Sequence, residues 1–327
     1  MPRLETAAGP ASPASPDPDI TAPDNTDPGL PDPFILQRAD PWMTRHQGRY
    51  YFTASVPEYD RLVIRQAPSL AGLGSAPEAT IWQRPASGPL GGHIWAPELH
   101  HFDGGWHLYF AAGDSDDPFR IRMYVMSNPE TDPAAPAWGP PVRIHTHKES
   151  FSLDATTFEH GGTRFLVWAQ MDPDSSLFIA PLSSPSTLAG PPVRIADPTL
   201  GWEIIGHRVN EGPAVIQRNG RIFLTFSASA TDANYCMGLL TADAGADLLD
   251  PSSWTKDPLP WMATSDRSGE FGPGHNSFTL DEAGNDLIVY HSRSYRDVMG
   301  DPLRDPNRHT RIRRIHWSAD GRPSVSC

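Results

Sequence analysis

The sequence predicts an all-β fold, a five-bladed β-propeller, from three observations: a turn-rich aromatic composition, a hairpin that recurs five times, and room for two further strands in each recurrence. Across 327 residues, 36 Pro and 27 Gly interrupt long helices, while 10 Trp, 8 Tyr and 13 Phe supply large side chains for packing between sheets. A chain of this length can form one large β domain.

The recurring hairpin reads "ADPWMTRHQGRYYFTAS" from Ala39, "APELHHFDGGWHLYFAAG" from Ala96, "DATTFEHGGTRFLVWAQ" from Asp154, "EGPAVIQRNGRIFLTFSAS" from Glu211 and "GHNSFTLDEAGNDLIVYHSRS" from Gly274. Aligned on a turn glycine, Gly48, Gly105, Gly162, Gly220 and Gly284 follow one another at 57, 57, 58 and 64 residues. Each unit reads as a strand, a tight turn and a second strand with alternating large residues, as Tyr50 with Phe52 and Phe165 with Val167. Pro-rich segments such as 117–144 leave space for another strand pair, which makes about four strands per unit, the make-up of a propeller blade. A β-sandwich or a tandem of small β domains is the rival, but tandem domains would show linkers and none separates these units. Residues 31–327 therefore read as a single propeller domain, and residues 1–30, rich in Pro, Ala, Asp, Ser and Thr, as a disordered leader.

The formal charge of −13 opposes binding to nucleic acid or an anionic membrane, and the basic stretch "RHTRIRR" at Arg308 to Arg314 stands alone. Two cysteines, Cys236 and Cys327, are too few for a disulfide framework and lack metal-ligand spacing. No run approaches the roughly 18 apolar residues of a membrane span, and the leader has no apolar core of a secretory signal. As given, the chain is expected in the cytoplasm unless export is unconventional.

In a propeller the head of each blade's first strand is aimed at the axis, so polar residues there converge. Asp40 and Asp154 stand eight residues before their turn glycines, Glu211 and His275 nine before theirs, and Glu98 seven before Gly105. Singly, such acids beside Asp-Pro or Glu-Gly-Pro could be turn caps. Three within one residue of a common repeat offset imply an acidic axial pocket in which like charges push at least one pKa upward. Glycoside hydrolysis needs that arrangement: one carboxylate to deprotonate water, one protonated carboxyl to serve the leaving oxygen, and a third to tune them. The chemistry requires no cofactor, although the acids with His275 would suit a structural calcium ion on the axis, held directly or through water. No serine nucleophile elbow or phosphate-binding loop competes.

In order, "ADPWM", "HIWAPELH", "SLDATTF", "NEGPAV" and "GPGHNSF" resemble family 43 glycoside hydrolases, with likeness running from about Asp32 to about Pro323. The resemblance implies a five-bladed propeller and an inverting mechanism with Asp40 as general base, Asp154 as pKa modulator and Glu211 as general acid. It also implies that His275 is the axial histidine near an ion or water, and that a late arginine, Arg308 with Arg311 as rival, contacts the sugar or the base. Trp42 and Trp95, beside the acids, are candidates to stack on a sugar face.

The segments "WAPELHHFDGGWHLYFAAG" and "YHSRSYRDVMGDPLRDPNRHTRIRRIHWSADGRP" look like the branch that removes terminal α-L-arabinofuranosyl units. The expected substrate is arabinan or an arabinose-containing oligosaccharide. Expected alternatives are a β-xylosidase or other exo-glycosidase on the same scaffold, or a non-catalytic carbohydrate-binding propeller. An inverting enzyme requires the base and acid about 6.5–9.5 Å apart, leaving room for water. Ring closure requires residues before Asp40 to pair with the last blade, because the chain stops soon after its last predicted strand.

Overall fold

The structure, a computed structural model, describes residues 29–326; most of the expected leader lies outside the described residues, as does Cys327. It contains five separate antiparallel sheets in chain order. Blade one comprises β1 (Ala39–His46), β2 (Arg49–Ser55), β3 (Arg61–Ala67) and β4 (Ala79–Gln83), with a short helix α1 (Leu70–Ser75) before β4. Blade two comprises β5 (Ile94–Phe102), β6 (Gly105–Ala112), β7 (Arg122–Asn128) and β8 (Val142–Arg143). Blade three comprises β9 (Ser152–His160), β10 (Thr163–Met171), β11 (Ser175–Ser184), β12 (Thr187–Leu188) and β13 (Val193–Ala196). Blade four comprises β14 (Asn210–Arg218), β15 (Arg221–Ala228), β16 (Cys236–Asp243) and β17 (Thr255–Lys256). Blade five comprises β18 (Phe271–Leu280), β19 (Asp286–Arg293), β20 (His309–Trp317) and β21 (Pro323–Val325). The first strands touch in a closed ring, β1 to β5 to β9 to β14 to β18 and back to β1, as the five-bladed propeller requires.

The hairpins form where Gly supplies positive φ: Gln47-Gly48, Asp103-Gly104, Gly161-Gly162 and Asn219-Gly220 all have both central residues at positive φ, the signature of a type I′ turn. Blade two corrects the sequence alignment. Its turn glycine is Gly104, at φ +77°, while Gly105 already opens β6. The residue eight before the turn glycine is therefore Ala96, and Glu98 lies two places further along the strand.

That shift exposes a deeper repeat. Asp40, Ala96, Asp154, Gly212 and His275 all occupy the left-handed region, at φ 52°, 47°, 57°, 54° and 45°. Each sits where the first strand slips register against the second, so every blade carries a bulge at its axial end. A non-glycine residue there costs on the order of 1–2 kcal/mol and persists only where its surroundings hold it. In four of the five blades the preceding blade accepts the bulge N–H. The bulge N–H donates to His291 Nδ1 from Asp40 at 3.0 Å, to Ser55 Oγ from Ala96 at 2.8 Å, to Asp154 Oδ2 from Gly212 at 2.9 Å, and to Ser227 Oγ from His275 at 2.7 Å.

Hydrophobic clusters fill the five spaces between blades, because both faces of the central strands are apolar and buried. Leu62 and Ile64 of blade one meet Trp106 and Leu108 of blade two, while Tyr109, on the other face of β6, meets Leu166 and Trp168 of blade three. Val167 and Leu177 of blade three meet Leu224 and Phe226 of blade four. Phe223 and Met237 of blade four meet Ile288 and Tyr290 of blade five, and Leu287 and Val289 of blade five meet Met43 and Phe52 of blade one.

The ring closes on β20, whose outer edge two segments share. β21 covers only Ile315 to Trp317 of β20, and the N-terminal segment takes the rest of that edge. Phe34 N donates to Thr310 O at 2.8 Å, Thr310 N returns to Ile35 O at 2.9 Å, and Asp32 pairs with Arg311 and Arg313. No helix among the described residues is long and apolar enough to cross a membrane.

Candidate active site

The axial bulges open onto a cavity of about 500 Å³ lined by Asp40, Asp154, Glu211, His275 and Arg308, with Trp95, Phe119, Phe151, Met171 and Leu303 among its apolar walls. The bulge is what turns these acids inward. At Asp40, Asp154 and His275 the left-handed residue itself faces the cavity, whereas in blade four Gly212 takes that conformation and Glu211 precedes it. A side chain at 212 would stand 3.0 Å from the His275 ring, so glycine lets the two blades meet.

Asp40 accepts from Ser55 Oγ at 2.6 Å, and its other oxygen lies 3.4 Å from His275 Nδ1 and 3.5 Å from Arg308 Nη1. Burial acts to raise this carboxyl, but His275, Arg308, His291 and the Ser55 bond outweigh it and hold it at about 2. Burial keeps both imidazoles below their ordinary range. At neutral pH the Arg308 charge and the Ser55 hydroxyl therefore keep Asp40 ionised. Arg308 is oriented from behind by Tyr59, whose hydroxyl accepts from Nη2 at 2.8 Å and donates to Leu303 O at 2.6 Å.

The other two carboxyls move the opposite way. Burial first, and then the charge of Asp40, push Glu211 up to about 7, against the pull of Tyr235 and Arg308. Burial, Glu211 and Asp40 raise Asp154 well above the usual carboxylate range, against the Gly212 N–H and Arg308. Like charges this close titrate as a pair. One buried acid is thus ionised while two others resist ionisation, the contrast that separates a base from an acid in one cavity.

Of the residues singled out in the sequence, Asp40, Asp154, Glu211, Trp95, His275 and Arg308 come together at this cavity. Trp42 does not. It lies past the bulge, where its indole N–H donates to Leu99 O at 2.7 Å and its ring packs against His100 between blades one and two. Arg311 is likewise turned away, bonded to Ser292, Ser294 and Asp32 in the ring closure. Glu98 is 3% exposed, 2.9 Å from His100 Nε2, and burial raises its carboxyl well above the usual range. Among the described residues, no group of three or more His, Cys, Asp or Glu is disposed to hold a metal ion directly. Cys236 is buried, and burial with nearby Glu203 pushes its thiol to about 12, which leaves no nucleophile there.

Sequence reasoning missed Ser55, His291 and Tyr235. They stand near the ends of β2 and β19 and just before β16, outside the repeat position that marked the acids. Ser55 carried a faint signal, since Ser227 stands near the end of the corresponding strand of blade four.

Comparison with known proteins identifies the family. The family model described as glycosyl hydrolases family 43 matches residues 31–323. An extracellular exo-α-(1→5)-L-arabinofuranosidase of Streptomyces avermitilis is 53% identical over 310 residues, covering 93% of this chain and 64% of that protein. Alpha-L-arabinofuranosidase 43 of Humicola insolens is 56% identical over 297 residues, covering 89% of this chain and 62% of its own length. The chain thus spans somewhat under two thirds of these relatives. The crystal structure of an α-L-arabinofuranosidase from Lactobacillus brevis superposes with a TM-score of 0.87 at 47% identity, covering 90% of this chain and 95% of that one. By its sequence, its five blades and its axial acids, the chain belongs to the glycosyl hydrolases of family 43.

Proposed function

We propose that the protein is an exo-acting, inverting α-L-arabinofuranosidase that releases terminal arabinofuranosyl units from arabinan or arabinose-containing oligosaccharides. The observation that carries the reading is the divergence of carboxyls in one cavity, Asp40 held at about 2 and Glu211 pushed up to about 7. The relatives named as arabinofuranosidases support the choice of sugar.

In the reaction, Asp40 takes a proton from water as the water oxygen bonds to the anomeric carbon. The bond to the glycosidic oxygen breaks with its electron pair, and Glu211 gives that oxygen a proton. Asp154, coupled to Glu211, serves as its pKa modulator, and Glu211, the more exposed of the two, delivers the proton. Arg308 keeps Asp40 anionic, and Trp95, edge-on to Tyr59 at 5.7 Å, supplies a wall for the sugar. Calcium has no assigned role in these steps. Two similar proteins are named extracellular, which supports a secreted site of action over the cytoplasmic expectation.

The test is hydrolysis of p-nitrophenyl α-L-arabinofuranoside and of the β-D-xylopyranoside, followed by NMR of the first-formed anomer from an arabino-oligosaccharide. Arabinoside turnover with inverted product supports the proposal. Turnover of the xyloside alone moves the substrate, and a retained anomer overturns the mechanism.

A further inference from the structure

Tyr235 stands just before the third strand of blade four, as Arg308 stands just before that of blade five; it is 2% exposed and its hydroxyl donates to Glu211 Oε1 at 2.8 Å. Its ring is fixed on two sides. His291 of blade five lies parallel to it, with centroids 5.7 Å apart and planes within 3°. Gly274 of the same blade has no side chain to intrude; a Cβ there would stand 2.1 Å from Tyr235 Cε1. A Cβ on Gly272 would meet Asp232 O at 2.3 Å, so both glycines of "GPGH" make room for the segment carrying Tyr235. His291 also accepts the Asp40 N–H. A continuous brace therefore runs from Asp40 through His291 and Tyr235 to Glu211.

Resting on the assignment of Glu211 as the acid, we infer that Tyr235 is its positioning residue, fixing the direction in which the carboxyl delivers its proton. Because the phenol occupies Oε1, the transferable proton resides on Oε2. Other groups acting on Glu211 and Tyr235 are Asp154 of blade three, Asp40 of blade one, Arg308 before β20, and the Ser227 hydroxyl. His275 of blade five faces Asp40 and Asp154. Against that background the Tyr235 bond favours the Glu211 anion, so its removal raises the pH at which Glu211 loses its proton.

The test uses Tyr235→Phe, which keeps the ring and removes one oxygen. An arabinosyl oligosaccharide needs protonation of its leaving oxygen far more than the nitrophenyl arabinoside does. The expected result is a loss of roughly 10- to 100-fold in kcat/KM on the oligosaccharide, only a few-fold loss on the nitrophenyl substrate, and an alkaline limb displaced to higher pH. Equal losses on both substrates with an unmoved limb would overturn the inference. Replacing Tyr235 with 3-fluorotyrosine, a more acidic donor, should move the limb the other way even if the Phe variant folds poorly; no movement counts against the proposal. Wild-type activity and its loss in Glu211→Gln are measured first, so failure of the acid assignment is distinguished from failure of the Tyr235 role.

Discussion

Arg308→Met removes the persistent positive charge beside Asp40. With Nη1 at 3.5 Å from the carboxylate, Coulomb's law at an effective dielectric of about 20 allows about 5 kcal/mol, a ceiling of about 3.5 pKa units. His275 can recover part of this by taking a proton. The acid limb of kcat/KM, set by Asp40 at about 2, should climb into a measurable range. The sign for stability follows from the same shift. A depressed carboxyl contributes stability above its unfolded value of about 3.9, lost as pH falls through the folded value, and a group held at about 2 contributes about 2.6 kcal/mol in this way. The variant should therefore melt several degrees below wild type at pH 7, and the gap should narrow toward pH 2. The assay is kcat/KM against pH on the nitrophenyl arabinoside, with thermal melts across the same range. An acid limb that does not move refutes the role given to Arg308.

Other changes separate cavity from scaffold. Trp95→Ala should raise KM several-fold, whereas Trp42→Phe, between blades, should leave KM unchanged and lower the melting temperature slightly; steady-state kinetics and melts distinguish them. Gly274→Ala drives a methyl into the Tyr235 ring and should lower activity more than stability, read by kcat/KM beside a denaturant midpoint. Trp106→Ala, at 0% exposure between blades one and two, should cost about 3–5 kcal/mol in a denaturant titration with little change in KM where the fold survives. In wild type, kcat/KM should fall about tenfold per pH unit above pH 7 as Glu211 ionises.

The repeat of strand, glycine turn and strand made the blade count legible, because type I′ turns demand Gly at one place and the strands demand apolar residues around it. It also located Asp40, Asp154, Glu211 and His275, since a ring of equivalent strand heads must converge on its axis. Alternation failed at those heads. The bulge breaks the period of two, so Trp42 turned out to pack between blades and Glu98 to lie beyond the cavity, although both stand near the heads of their strands. Arg308 and Arg311 sit three residues apart on one segment, and only packing sends one to Asp40 and the other to Asp32. Ser55 and His291 share with Ser227 the position seven residues past the turn glycine, a faint signal that names no partner, while Tyr235 was invisible because it reaches Glu211 across the blade and single-sequence spacing records no such contact. Local pattern alone therefore determined the blades and the residue types at the axis. The tertiary structure decided which acid is charged, because that depends on burial, the Arg308 contact and hydrogen bonds assembled from separate blades.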